Sequence, residues 1–128
     1  MEEVRKDMGY PQKKNGFQTK RYCQTLELKD DPLLIDEYVR RHSLPDHWPE
    51  IREGIRSVGI LEMEIYHVGT TLFMVIETPL DFNWEQAFKE LSKKPRQAEW
   101  EKSMNIFQDA DSILASAKWK IMERIFHL

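Results

Sequence analysis

The chain has 128 residues and a mass of 15.4 kDa, one domain's worth, with 41% apolar residues, 32% charged residues and a net charge of −3. That balance lacks the basic stripe of a nucleic-acid binder, and its apolar runs are far too short for a membrane span. Cys23 is the sole cysteine, so neither an intrachain disulfide nor a cysteine-based zinc site is available.

Residues 1–20 read as a polar extension in which only Val4, Met8, Tyr10 and Phe17 can anchor. They lack the apolar stretch of a signal peptide, and a cytoplasmic setting is the expectation. Residues 21–128 then read as one domain. Residues 21–29 alternate, with Tyr22, Gln24, Leu26 and Leu28 on one face, which predicts a strand. Asp30-Asp31-Pro32 starts a helix with Asp at the N-cap and Pro in the first turn, and Pro45 prevents it from running past Ser43. A second helix opens at Asp46-His47-Trp48-Pro49, carries Trp48, Ile51, Ile55 and Val58 at helical spacing, and stops at Gly59. Leu61, Met63 and Ile65 alternate with Glu62, Glu64 and Tyr66. A Gly69-Thr70-Thr71 turn then leads to a third strand over 72–78, closing a hairpin.

Asn83 caps a helix bearing Trp84, Ala87, Phe88 and Leu91, and Lys93-Lys94-Pro95 ends it. A further helix presents Trp100, Met104 and Phe107, and 108–112 reads as polar loop. Residues 118–126 alternate again, predicting a last strand apolar on both faces, through Trp119, Ile121 and Ile125 and through Met122 and Phe126. The order β-αα-β-β-αα-β is an α+β, ferredoxin-like plan with each crossover helix broken in two. A second copy packed sheet to sheet would cover the two-sided last strand, so a homodimer is expected.

The chemistry concentrates in Tyr38-Val39-Arg40-Arg41-His42. Tyr38 and His42 lie four residues apart and share a helix face, placing a phenol beside an imidazole that titrates near neutral pH. Such a pair suits acid/base work without metal or cofactor. The same spacing also fits a half-core tyrosine and a histidine that complements the helix dipole.

That motif, the Trp48-Pro49-Glu50 step, Gly59, Ile65-Tyr66, Trp100 and the closing Met122-Glu123-Arg124-Ile125-Phe126-His127-Leu128 together resemble the rhamnose mutarotase family. These are small dimeric α+β-barrel enzymes that interconvert sugar anomers, and the resemblance covers residues 21–128. It implies His42 as the catalytic acid, Tyr38 as a tyrosine of the same pocket, and Trp100 as the second of two adjacent tryptophans lining the sugar site. Met63 stands where the family usually has a pocket tyrosine, and Glu99 where it has the first tryptophan. Both are therefore expected at the substrate with altered chemistry. The loop from His42 to Trp48 is two residues longer than the usual spacing. The implied reaction is cofactor-free anomer exchange of a 6-deoxyhexose, with L-fucose a better candidate than L-rhamnose.

Other constellations carry less. His42 and His47 are five apart and separated by Pro45, poor spacing for shared metal ligation, and no metal is expected. Glu62 and Glu64 share a strand face as a conceivable carboxylate pair, though a solvated edge explains them as well. Trp48, Trp84 and Trp119 read as core or dimer contact. No phosphate loop, nucleophile elbow or dinucleotide fingerprint occurs. Two alternatives stay open: a non-catalytic sugar sensor, and a cofactor-independent monooxygenase or haem-degrading barrel of similar plan.

Overall fold

The structure, a computed structural model, describes residues 9–43, 45–108 and 118–128. Its centre is set by the strictest alternation in the chain. Strand β3 (Thr71–Pro79) buries Leu72, Met74, Ile76 and Thr78 and leaves the residues between them half-covered. It pairs antiparallel with β1 (Thr19–Glu27) on one side and β2 (Glu62–Val68) on the other. The registers Tyr22↔Ile76, Gln24↔Met74, Met63↔Ile76 and Ile65↔Met74 bring one apolar row from each strand to a common face. Strand β4 (Lys120–Ile121) completes the order β2-β3-β1-β4.

Helices α1 (Pro32–His42) and α2 (Pro49–Ser57) fill the first crossover, α3 (Trp84–Leu91) and α4 (Gln97–Met104) the second. Asp31 caps α1 by accepting from the backbone N–H groups of Leu33 and Leu34, and Asn83 caps α3 by accepting from that of Gln86. Leu26, Leu28, Leu72 and Ile76 of the sheet side meet Tyr38, Ile51, Trp100, Met104, Phe107 and Trp119 in one core. Gly69 takes the positive φ that the β2–β3 turn requires. Among the described residues no helix is long and apolar enough to cross a membrane.

The ferredoxin-like α+β plan is therefore present, with some limits moved. The first strand starts at Thr19 rather than Arg21, because its ladder with β3 begins at Thr19↔Pro79. Leu28 leaves that ladder, donating to Thr70 O and bridging to Gln108. Helix α4 ends at Met104, and Phe107 follows in a tighter turn through its N–H to Met104 O. The last strand, expected over 118–126, pairs only at Lys120–Ile121 plus one bond from Met122 N to Cys23 O. Beyond it residues 123–128 are exposed, with Ile125 at 90% and Phe126 at 76%. The polar stretch at 109–112 lies outside the described residues, as do residues 1–8.

The described part of the N-terminal extension lies against the opposite face of the sheet and its β2 edge. Tyr10 packs edge-on to Tyr66 at 5.6 Å, Lys13 pairs with Glu62 at 3.9 Å, and Asn15 and Thr19 both donate to Glu77.

Candidate active site

A cavity of about 380 Å³ opens between the apolar face of the sheet and the helices, a size that suits a small ligand. Tyr38 and His42 reach it from the end of α1, Met63 and Met74 from the sheet, and Trp100 from α4. Four of the five residues expected at the site thus line one space. Glu99 does not: it is exposed on the far side of α4 and pairs with Arg96. The carboxylate that α4 does bring to the cavity is Glu101, two residues on.

His42 is held by its own helix. Its Nδ1 lies 2.7 Å from the backbone oxygen of Tyr38, an acceptor only, so Nδ1 carries the proton and Nε2 a lone pair. Burial lowers its pKa from the ordinary value and Arg52 adds to that, while the bond to Tyr38 O opposes them. The ring is therefore neutral at neutral pH. Tyr38 packs against it with centroids 4.3 Å apart and meets Phe107 edge-on at 5.8 Å. Burial pushes the Tyr38 phenol well above its ordinary range, with Gln108 opposing, so its hydroxyl stays protonated and able to donate.

Trp100 is the aromatic hub, in edge contact with His42 at 5.3 Å, His47 at 4.7 Å and Trp48 at 5.2 Å. The Trp48 ring also takes the Arg96 guanidinium at 3.7 Å from its centroid. Trp119 is buried in the core, while Trp48 and Trp84 pack half-buried against it.

Sequence reasoning missed a polar wall. Gln97 and Glu101 lie on the cavity face of α4, Gln108 follows it, and Gln24 faces them from β1. Gln97 donates to Glu101 Oε1 at 3.2 Å, yet Gln97 Oε1 and Gln108 Oε1 are buried with no hydrogen-bond partner among the described residues. Burial raises the pKa of Glu101, against the pull of Lys118 and Gln97. The signal was available in part: positions 97, 101 and 104 share a helical face with Trp100. His47 and Arg52 also line the cavity. Glu62 stands at its mouth beside Lys13, and the strand-mate Glu64 does not line it. Among the described residues no three His, Cys, Asp or Glu side chains converge as metal ligands do.

The L-rhamnose mutarotase family model matches residues 21–128. An L-fucose mutarotase of Xanthomonas campestris pv. campestris is 34% identical over 109 residues, covering 84% of this chain and 87% of that protein. A UPF0734 protein of Dictyostelium discoideum is 33% identical over 114 residues, covering 85% of this chain and 90% of its own. In fold, the crystal structure of an L-rhamnose mutarotase from Formosa agariphila matches 85% of this chain and 98% of its own, with a TM-score of 0.65 at 18% identity.

Proposed function

The chain belongs to the L-rhamnose mutarotase family, and from that premise we propose that it opens and recloses the pyranose ring of L-fucose in preference to L-rhamnose. The family's activity is sugar-anomer interconversion, which makes the protein an isomerase. The observation that carries the catalytic assignment is the commitment of His42 Nδ1 to the Tyr38 carbonyl, which leaves an unprotonated Nε2 for the cavity.

In this reading His42 Nε2 takes the proton of the anomeric hydroxyl while the bond from the anomeric carbon to the ring oxygen breaks. The resulting imidazolium then hands that proton to the ring oxygen, leaving an open-chain aldehyde and a neutral histidine. Rotation about the bond to the next carbon and the reverse steps give the other anomer. Tyr38 supplies a hydroxyl donor, and Trp100 an aromatic wall for the C–H face of the sugar. General acid–base help of this kind is worth roughly 10²–10⁴-fold.

Three features support L-fucose. A 34% identical relative bears that name. Met63 brings no hydroxyl to the position where the family resemblance expects a tyrosine. The Gln97 and Gln108 oxygens, which have no partner among the described residues, would each cost about 1–3 kcal/mol if left so, and a sugar hydroxyl can donate to them. L-Fucose and L-rhamnose differ in the orientation of hydroxyls at two ring carbons, so a wall of fixed acceptors discriminates between them. Magnetisation-exchange NMR on both sugars is expected to show anomer exchange at least roughly tenfold more efficient for L-fucose. Equal efficiency would refute the preference, and no exchange above buffer for either sugar would refute the activity.

The same reading assigns catalysis to residues 21–128, with the extension as an arm, and places the enzyme in the cytoplasm, where the lone thiol of Cys23 stays reduced. It also pairs two chains. Exposed Ile121, Met122, Ile125 and Phe126 on an extended edge segment are what a second copy would cover. Sedimentation equilibrium at micromolar concentration is expected to give twice the chain mass, and removal of residues 122–128 to shift it toward one. A clean monomer of the full chain would end the homodimer.

A further inference from the structure

Pro45 breaks the chain between His42 and His47, yet the turn brings their rings together. The N–H groups of Asp46 and His47 both donate to Ser43 O, at 3.1 and 2.9 Å, and fold the segment back over the end of α1. The two rings then lie 5.9 Å apart at 31°, both edge-on to Trp100 and both lining the cavity. From α2, Arg52 Nη1 stands 2.6 Å from His47 Nδ1. A guanidinium only donates, so His47 Nδ1 must be the acceptor and the neutral ring keeps its proton on Nε2. His42 has the opposite tautomer, because its Nδ1 faces a carbonyl. One ring therefore carries a lone pair on Nε2 and its neighbour an Nε2–H, and both rings line the cavity.

We propose that His47 is a second catalytic residue, whose Nε2–H hydrogen-bonds the sugar's ring oxygen as that oxygen gains negative charge, with Arg52 as the positioning residue that fixes its tautomer. The assignment rests on the mutarotase reading above and deepens it. When His42 Nε2 has taken the anomeric proton, the electrons of the breaking carbon–oxygen bond move onto the ring oxygen. His47 Nε2–H stabilises that alkoxide without giving up its proton. The His42 imidazolium then protonates the same oxygen, so both rings end the step as they began.

A fixed neutral donor is the right tool for this task, because it holds charge where it develops and needs no reorganisation. Among the described residues, the charged or titratable groups that act on His47 are Arg52 and His42. Burial, the Arg52 charge and His42, in that order, bring the His47 pKa down to about 4. The ring thus stays a neutral donor through the range in which His42 works. A histidine that only pinned the turn would have no need of a cavity-facing position beside the base.

The test combines ¹⁵N NMR of the imidazoles with anomer exchange in three variants. In the wild type, His47 is expected as the Nε2–H tautomer and His42 as the Nδ1–H tautomer. His47→Phe keeps a ring against Trp100 and is expected to lose roughly 10²-fold in exchange with an unchanged melting temperature. His47→Gln restores an amide donor and is expected to recover part of that loss. Arg52→Met is expected to shift His47 toward Nδ1–H and to lower exchange with it. A wild type with His47 protonated on Nδ1 would overturn the proposal, whether or not the variants fold. So would equal loss in the Phe and Gln variants, or wild-type exchange in a folded His47→Phe protein. A wild type that exchanges no 6-deoxyhexose would end the mutarotase reading itself, whereas an active wild type beside an unaffected His47→Phe ends this proposal alone.

Discussion

Replacing His42 with alanine is expected to lower anomer exchange by roughly 10²–10⁴-fold, the usual value of a lost acid/base group. The fold should survive, since the side chain is half-buried at a helix end and its one hydrogen bond among the described residues is to a carbonyl of its own helix. Tyr38→Phe separates the phenol's chemistry from its packing by keeping the ring against His42 and Phe107. Its exchange should fall with little change in melting temperature. The pH profile carries a matching sign. Exchange needs neutral His42, and burial lowers the pKa of that ring below its ordinary 6.5. Wild-type activity should therefore hold steady as pH falls through 6.5 and decline only in more acidic solution. Loss of activity at or above that pH, or near wild-type exchange in a folded His42→Ala protein, would remove the histidine from the mechanism.

Phe107→Ala is expected to be the most damaging core change, costing about 3–5 kcal/mol in denaturant unfolding. The side chain is 1% exposed and fully enclosed. It supports Tyr38 by edge contact at 5.8 Å and receives the Arg41 guanidinium at 4.9 Å from its ring centroid. Truncation would leave a void beneath the pocket tyrosine, so some activity should go with the stability. The two variants should separate cleanly: the alanine at 107 loses stability first, the alanine at 42 loses rate first. A Phe107→Ala protein with wild-type unfolding midpoint would show that the core at this point is slack.

Much of the sheet was legible because its signal is local. The alternation of Leu72, Met74 and Ile76 fixes which way β3 faces, and Asp31-Pro32 and Asn83 announce their helices through the caps they make. The pairing of Tyr38 with His42 was legible for the same reason, since both sit on one helix. The contribution of His47 was not. Pro45 argued against a shared face, and only the backbone bonds to Ser43 O bring the ring back. Glu99 and Glu101 show a different failure, of helical phase. With Trp100 facing inward beside Gln97 and Met104, a residue at 99 is turned outward and one at 101 inward. Matching Glu99 to a family tryptophan overrode that periodicity, although the periodicity was in the sequence. The last strand failed for a third reason: alternation says that a segment is ready to pair, not that its own chain offers a partner.

The tail after β4 bears on how this protein is handled. Trp119, a wall of the cavity, is followed within three residues by the segment that leaves the sheet. A tag or reporter placed in the exposed segment 123–128 would hang from the same short lever that seats this tryptophan. Crowding there would disturb pairing and pocket together, and a weakened enzyme would be misread as a poor catalyst when the fault lies in its fusion. Labels are better carried on exposed Lys89 of α3, outside the β1–β4 ladder.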